Sequence, residues 1–130
     1  MDNLTDRYQA LIESLLIRHQ SILDILTKNS DTSARVNRAV AKSVTNCGCL
    51  SVVAKKKPIP EDAVLSDLKD LLDSQLEGTL CESCKDIIEV ELGKQLFYIG
   101  ALANTLGISL SDVLEKEEKR LSTLTVFNLT

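Results

Sequence analysis

Tryptophan is absent, and 130 residues hold only two tyrosines and two phenylalanines. A recognition sheet that stacks bases on exposed aromatic rings is therefore not expected. Two prolines and five glycines leave few breaks in the chain, which favours long helices over a many-turned β fold. The sequence has neither a Gly-x-Ser-x-Gly elbow nor a glycine loop that would cradle phosphate, so nucleophilic hydrolysis and P-loop chemistry have no basis. The single histidine, His19, falls with Ile12, Leu16 and Leu23 and reads as a packing or surface residue rather than a ligand or base. No apolar run approaches the ~20 residues of a membrane span. The opening MDNLTDRYQ lacks the basic and apolar parts of a signal peptide. A cytoplasmic protein with no membrane partner is the expectation.

What is present suits one helical domain over residues 1–130. Hydrophobic residues make up 44% and charged residues 26%, enough apolar material for a core. A chain this short gains from a metal or a partner subunit. Apolar spacing predicts an amphipathic helix from Leu4 to Lys28, stopped by Asn29 and Ser30, then a second from Ser33 to Asn46. Gly48 suits a helix C-terminus. Leu50 to Ala54 reads as extended, and the Lys55-Lys56-Lys57-Pro58-Ile59-Pro60 stretch as a loop. A third helix is expected from Glu61 to Leu76, with Ser66 and Asp67 offering a later start, and Glu77-Gly78-Thr79 breaking it. The fourth, Cys81 to Leu106, is apolar around most of its circumference, as a central helix requires. Gly107 caps it. Ser109 and Asp112 open a last helix in a capping-box-like arrangement that runs to about Leu121. The fold class expected is all-α, a bundle of four to five helices.

All four cysteines fall into two tight pairs, Cys47-x-Cys49 and Cys81-x-x-Cys84, with 31 residues between them. Two close pairs separated by a loop are the arithmetic of a four-thiolate metal site. Each pair sets two sulfurs at a chain reversal, and one ion ties the reversals together. The first pair ends a helix and the second starts one, where helix amides favour thiolate. Zinc is the first choice of ion, in a closed and therefore structural site; an iron–sulfur cluster is the second.

Charge is unevenly spread. Between Lys28 and Lys57 there are seven bases and one acid, a balance of +6, while the remainder holds eight bases and eighteen acids, a balance of −10. Arg35, Arg38, Lys42, Lys55, Lys56 and Lys57 are candidate anion-binding residues. Two readings stay open: a solvated positive surface facing acidic neighbours, or a site for phosphate, nucleotide or nucleic acid.

The segment Glu91-Leu92-Gly93-Lys94-Gln95-Leu96-Phe97, the Gly107-Ile108 turn, the stretch from Leu110 to Leu114 and the charged Glu117 to Arg120 together resemble the C-terminal half of MazG-type nucleoside triphosphate pyrophosphohydrolases. The whole chain also resembles a small bacterial family of unknown function, built around the two cysteine pairs and Ala34-Arg35-Val36-Asn37-Arg38-Ala39. The MazG-like resemblance implies an all-α fold and magnesium held by an E-E-x-x-E pattern on an earlier helix and an E-x-x-D pattern on a later one. Glu91 matches the glutamate of the later pattern, but Lys94 stands at the aspartate, and Asn37 to Lys42 offer no carboxylate. Magnesium requires hard oxygen ligands, and Glu89 is the one further acid beside Glu91. An ion pair from Glu91 to Arg38 or Lys42 is the expectation in place of a magnesium role. The function expected is thus a non-catalytic zinc-binding helical protein of interaction or regulation, working as a homodimer or with another protein partner. Its alternatives are a pyrophosphohydrolase with a rearranged site, or nucleotide or nucleic-acid binding through the basic 35–57 segment.

Overall fold

The structure, a computed structural model, describes residues 3–16 and 21–123; His19 lies outside them. The chain is mostly helical, in the order α1 (Leu4–Leu15), α2 (Ile22–Lys42), β1 (Leu50–Val52), α3 (Leu65–Leu71), β2 (Leu76–Gly78), α4 (Glu82–Leu106) and α5 (Leu110–Thr123). No single helix among the described residues is long and apolar enough to cross a membrane.

The expected helix from Leu4 to Lys28 is two helices. α1 stops at Leu15, and Leu16 and Ser21 are both extended. The core explains the break. Ile12 and Ile25 are both fully buried and share one cluster with Ala101 of α4. In one straight helix they would stand about 20 Å apart at 1.5 Å per residue, too far to meet at a single point on α4. The stop expected at Asn29 and Ser30 is also absent, because α2 runs through both. Local polar side chains there bond to the helix instead of ending it. Thr32 Oγ1 donates to the Lys28 carbonyl at 2.8 Å, and Asn29 Nδ2 donates to the carbonyls of Ile25 at 3.2 Å and Tyr98 at 3.1 Å. Asn29 thus ties α2 to α4, the principal helix pair.

α1 lies on a different side of α4. Gly100 is buried beneath Ile12, and a Cβ at this position would overlap Ile12 Cδ1. Gln9 stitches α1 to the turn after α4: its Nε2 donates to the Ile108 carbonyl at 2.6 Å and its Oε1 accepts from the Leu110 amide at 2.8 Å. Gly100→Val is expected to overpack this contact, since the added carbons would meet the buried Ile12 and, at 3.6 Å, Leu110 Cδ1. A destabilisation of about 1–3 kcal/mol, read as a lower urea midpoint with unchanged slope, is the outcome that checks it.

The helix ends follow the sequence closely. Gly107 takes φ +70°, and the Ile108 amide bonds back to the Ala103 carbonyl at 2.8 Å. Ser109 Oγ accepts from the Asp112 amide at 3.3 Å, and α5 departs from α4 at 105°. The expected third helix is shortened to α3. It starts where Asp67 accepts the Val64 amide at 3.1 Å and ends before Leu72. Leu76, expected at its end, belongs instead to β2. β1 and β2 form an antiparallel ribbon in the register Leu50↔Gly78, Ser51↔Glu77 and Val52↔Leu76. Asp73 and Ser74 side chains accept the amides of Gln75 and Leu76, at 2.7 and 3.3 Å, and turn the chain into β2. The bundle therefore carries a small ribbon between α2 and α4 that an all-α description omits.

Candidate metal centre

The ribbon is what brings the cysteines together. β1 begins one residue after Cys49, and β2 ends three residues before Cys81. Pairing Leu50 with Gly78 therefore sets the two pairs side by side. At the other end of the first pair, α2 passes into a π-helical turn, Ser43–Cys47, closed by a bond from the Gly48 amide to the Ser43 carbonyl at 3.0 Å. Gly48 then takes φ +80°, so the chain doubles back and Cys47 and Cys49 face the same point. Gly78 is the tight spot of the ribbon. Its φ is +93°, and a Cβ there would overlap the carbonyl oxygen of Cys49.

All four sulfurs lie within 4.8 Å of one another, and Cys47 Sγ to Cys81 Sγ is 3.7 Å. A tetrahedral ion with sulfur bonds of about 2.3 Å sets its ligands about 3.8 Å apart. A disulfide requires about 2.0 Å, and all four cysteines are free thiols. Cys47 is exposed and the other three are half-buried. Cys81 caps α4, its sulfur accepting the Cys84 amide at 3.4 Å. That backbone N–H, with the Cys84 thiol, lowers the Cys81 pKa to about 7, whereas the bond to Cys81 pushes Cys84 up to about 12. Without a cation, one sulfur ionises readily at the expense of its neighbour. A soft divalent ion removes that conflict by binding all four as thiolates. The donor set is compatible with a metal site, closed by four protein ligands.

The six candidate anion-binding cations do not form one patch. Arg35, Arg38 and Lys42 line a cleft of about 450 Å³ between α2 and α4, together with Asp31, Ile87 and Glu91. Lys55 and Lys57 line a different hollow, beside Asp73 and Glu77, where Lys57 pairs with Asp73 at 3.0 Å and holds that carboxyl below the usual carboxylate range. Lys56 is exposed in the same loop. Arg35 is already paired with Asp31 at 3.1 Å across one helical turn, a spacing visible in the sequence. The ion pair expected from Glu91 to Arg38 or Lys42 is not made. Glu91 Oε1 lies 3.8 Å from Lys94 Nζ, one turn along its own helix, and Oε2 is buried with no hydrogen-bond partner. Intrahelical spacing favours this pairing, because residues three and four apart on a helix are neighbours.

Compared with known protein families, with curated proteins and with solved structures, the chain finds no match in any of the three.

Proposed function

We propose that this chain is a zinc-stapled helical module, a degenerate relative of the MazG-type pyrophosphohydrolases, that works by presenting surfaces to another protein chain rather than by catalysis. The observation that supports this reading most is the convergence of Cys47, Cys49, Cys81 and Cys84 within 4.8 Å. Four thiolates suit zinc, leave no open coordination position, and so make the ion a structural tie. An iron–sulfur cluster would use the same ligands. The ion fastens the end of α2 to the start of α4, and the helix pair is then a rigid platform.

A second reading has one observation in its favour. Glu91, whose Oε2 is buried and unpartnered, lines the α2–α4 cleft together with Arg35, Arg38 and Lys42. Phosphates would find cations there, but magnesium would find only Asp31 and Glu91, too few oxygen ligands for a two-ion diphosphate site.

One preparation separates the two. Protein purified without chelator is expected to carry one zinc per chain by elemental analysis, and to release no pyrophosphate from a panel of nucleoside triphosphates with magnesium. Magnesium-dependent pyrophosphate release would move the assignment to the hydrolase; metal-free, fully folded protein would remove the staple.

A further inference from the structure

The four sulfurs are not equally placed. Cys47 ends the π-helical turn after α2 and is exposed, while Cys49, Cys81 and Cys84 are half-buried. A hollow of about 350 Å³ lies beside the cluster, its lining including Lys42, Asn46, Cys47, Ser83, Cys84 and Ile87. A solute scarcely larger than water therefore has access to Cys47. A tie with a purely structural purpose gains nothing from this exposure. A cysteine that holds a metal is a thiolate, and thiolate character together with access is what makes a sulfur oxidisable.

The exposed sulfur has a partner at hand. Cys81 Sγ stands 3.7 Å from Cys47 Sγ, although the two are 34 positions apart in sequence. Reaching the about 2.0 Å of a disulfide takes a shift that an exposed side chain at the end of a helical turn can make. A bond between these two joins the turn after α2 to the N-cap of α4, the junction that the metal would otherwise hold. Cys49 has a different attachment. β1 begins one residue after it, and of the ribbon residues only Leu50 is buried. The ribbon thus depends on Cys49 for its anchorage to the cluster.

We propose that Cys47 and Cys81 are a redox pair: a peroxide joins them in a disulfide, the ion is expelled, and the ribbon is freed while α2 and α4 stay fastened. In the first step the Cys47 thiolate attacks one oxygen of hydrogen peroxide. The O–O bond breaks, hydroxide leaves and takes a proton to become water, and Cys47 is left as the sulfenic acid. In the second step the Cys81 thiolate attacks the Cys47 sulfur. The S–S bond forms, the S–O bond breaks, and a second hydroxide leaves as water. Two thiolates lose two electrons, the peroxide gains them, and solvent supplies two protons. Cys49 and Cys84 remain, two ligands where a closed site needs four, and they take up protons as the ion departs. A thiol reductant reverses the oxidation. The expulsion step rests on the reading of the cluster as a metal staple; the disulfide does not, because two free thiols reach it by the same route.

The full chain, purified without chelator and treated with hydrogen peroxide at neutral pH, tests this. Titratable thiols are expected to fall from four to two, zinc to appear in solution as read by a colorimetric chelator, and peptide mapping to find Cys47 linked to Cys81. Hydrogen exchange of the ribbon amides should speed at least about tenfold as local opening becomes easier, with that of α4 unchanged, and reductant with zinc should restore both. Cys47→Ser is expected to slow thiol loss at least about tenfold by removing the accessible sulfur; should it fail to fold, the wild-type peptide map decides alone. Four intact thiols under excess peroxide overturn the proposal. So does a disulfide within either pair, Cys47 to Cys49 or Cys81 to Cys84, or oxidation to sulfinic acid with no disulfide. A chain that carries no metal yet forms the Cys47–Cys81 bond would sink the staple and uphold the redox pair; a zinc-loaded chain inert to peroxide would do the reverse.

Discussion

Stripping the bound ion with a chelator is expected to lower the melting temperature by about 15 °C. At free zinc a thousandfold above the dissociation constant, binding only the folded state contributes about 4 kcal/mol, and each kcal/mol moves the midpoint of a domain this size by about 4 °C. The loss should be local in origin. The π-helical turn, Gly48 and the ribbon have little apolar burial of their own beyond Leu50, whereas the Ile12–Ile25–Ala101 cluster does not depend on sulfur. Circular dichroism of the chelated protein should therefore retain much of its helix, and zinc should restore the transition. The sign with pH follows from the ligands. Uptake of the ion drives off the thiol protons, including that of Cys84, which the bond to Cys81 holds up to about 12. Binding therefore weakens as the solution is acidified. Melting that is identical with and without metal would remove the staple from the fold.

Gly78→Ala should be the next most damaging change, although it adds one carbon. The new Cβ would overlap the Cys49 carbonyl oxygen, which is backbone and cannot swing away, and the residue would keep φ +93°. Strained backbone of this kind costs on the order of 1–3 kcal/mol before any clash is counted. A ribbon that shifts to relieve it moves Cys49 relative to Cys81, so zinc affinity is expected to fall at least about tenfold, one decade per 1.4 kcal/mol. Competition with a colorimetric chelator measures this. Gly93→Ala is the matched control: its Cβ meets nothing within 4 Å on the α4 helix. It should stabilise by about 0.5–1 kcal/mol through helix propensity. Equal affinity in Gly78→Ala and wild type would mean that the ribbon does not set the sulfur positions.

The features legible in the sequence are those written in adjacent residues. The paired cysteines, the Gly107 cap, the Ser109 cap and the long apolar α4 all carry local signals and are found in the structure, which shows of the expected Ser109–Asp112 box the bond from the Asp112 amide to Ser109 Oγ. The break before Ile22 left no such trace. It is imposed by the need for Ile12 and Ile25 to reach one point on α4, a tertiary demand that overrides an unbroken helical pattern. Asn29 misled in the other direction. Its side chain can end a helix or, as here, bond outward to Tyr98, and only the neighbour decides. β2 was hidden because Leu76 fits the apolar spacing of α3 equally well. Its strand state comes from pairing with β1, 26 residues upstream. The basic run from Arg35 to Lys57 looked like one feature because it is contiguous in sequence. The turn at Gly48 sends its two halves to different hollows, Arg35, Arg38 and Lys42 to one and Lys55 and Lys57 to another.

The ribbon also has a topological effect on everything that leaves it. Val53 and Gln75 are held together by a 2.7 Å bond, and Lys57 and Asp73 close the gap further on. The chain therefore exits and re-enters at one doorway. Whatever lies between is a pendant loop, and doubling its length costs only about 0.6 kcal/mol of closure entropy. Descendants of this sequence are thus free to enlarge, trim or replace that appendage without redesigning the trunk to which it is attached.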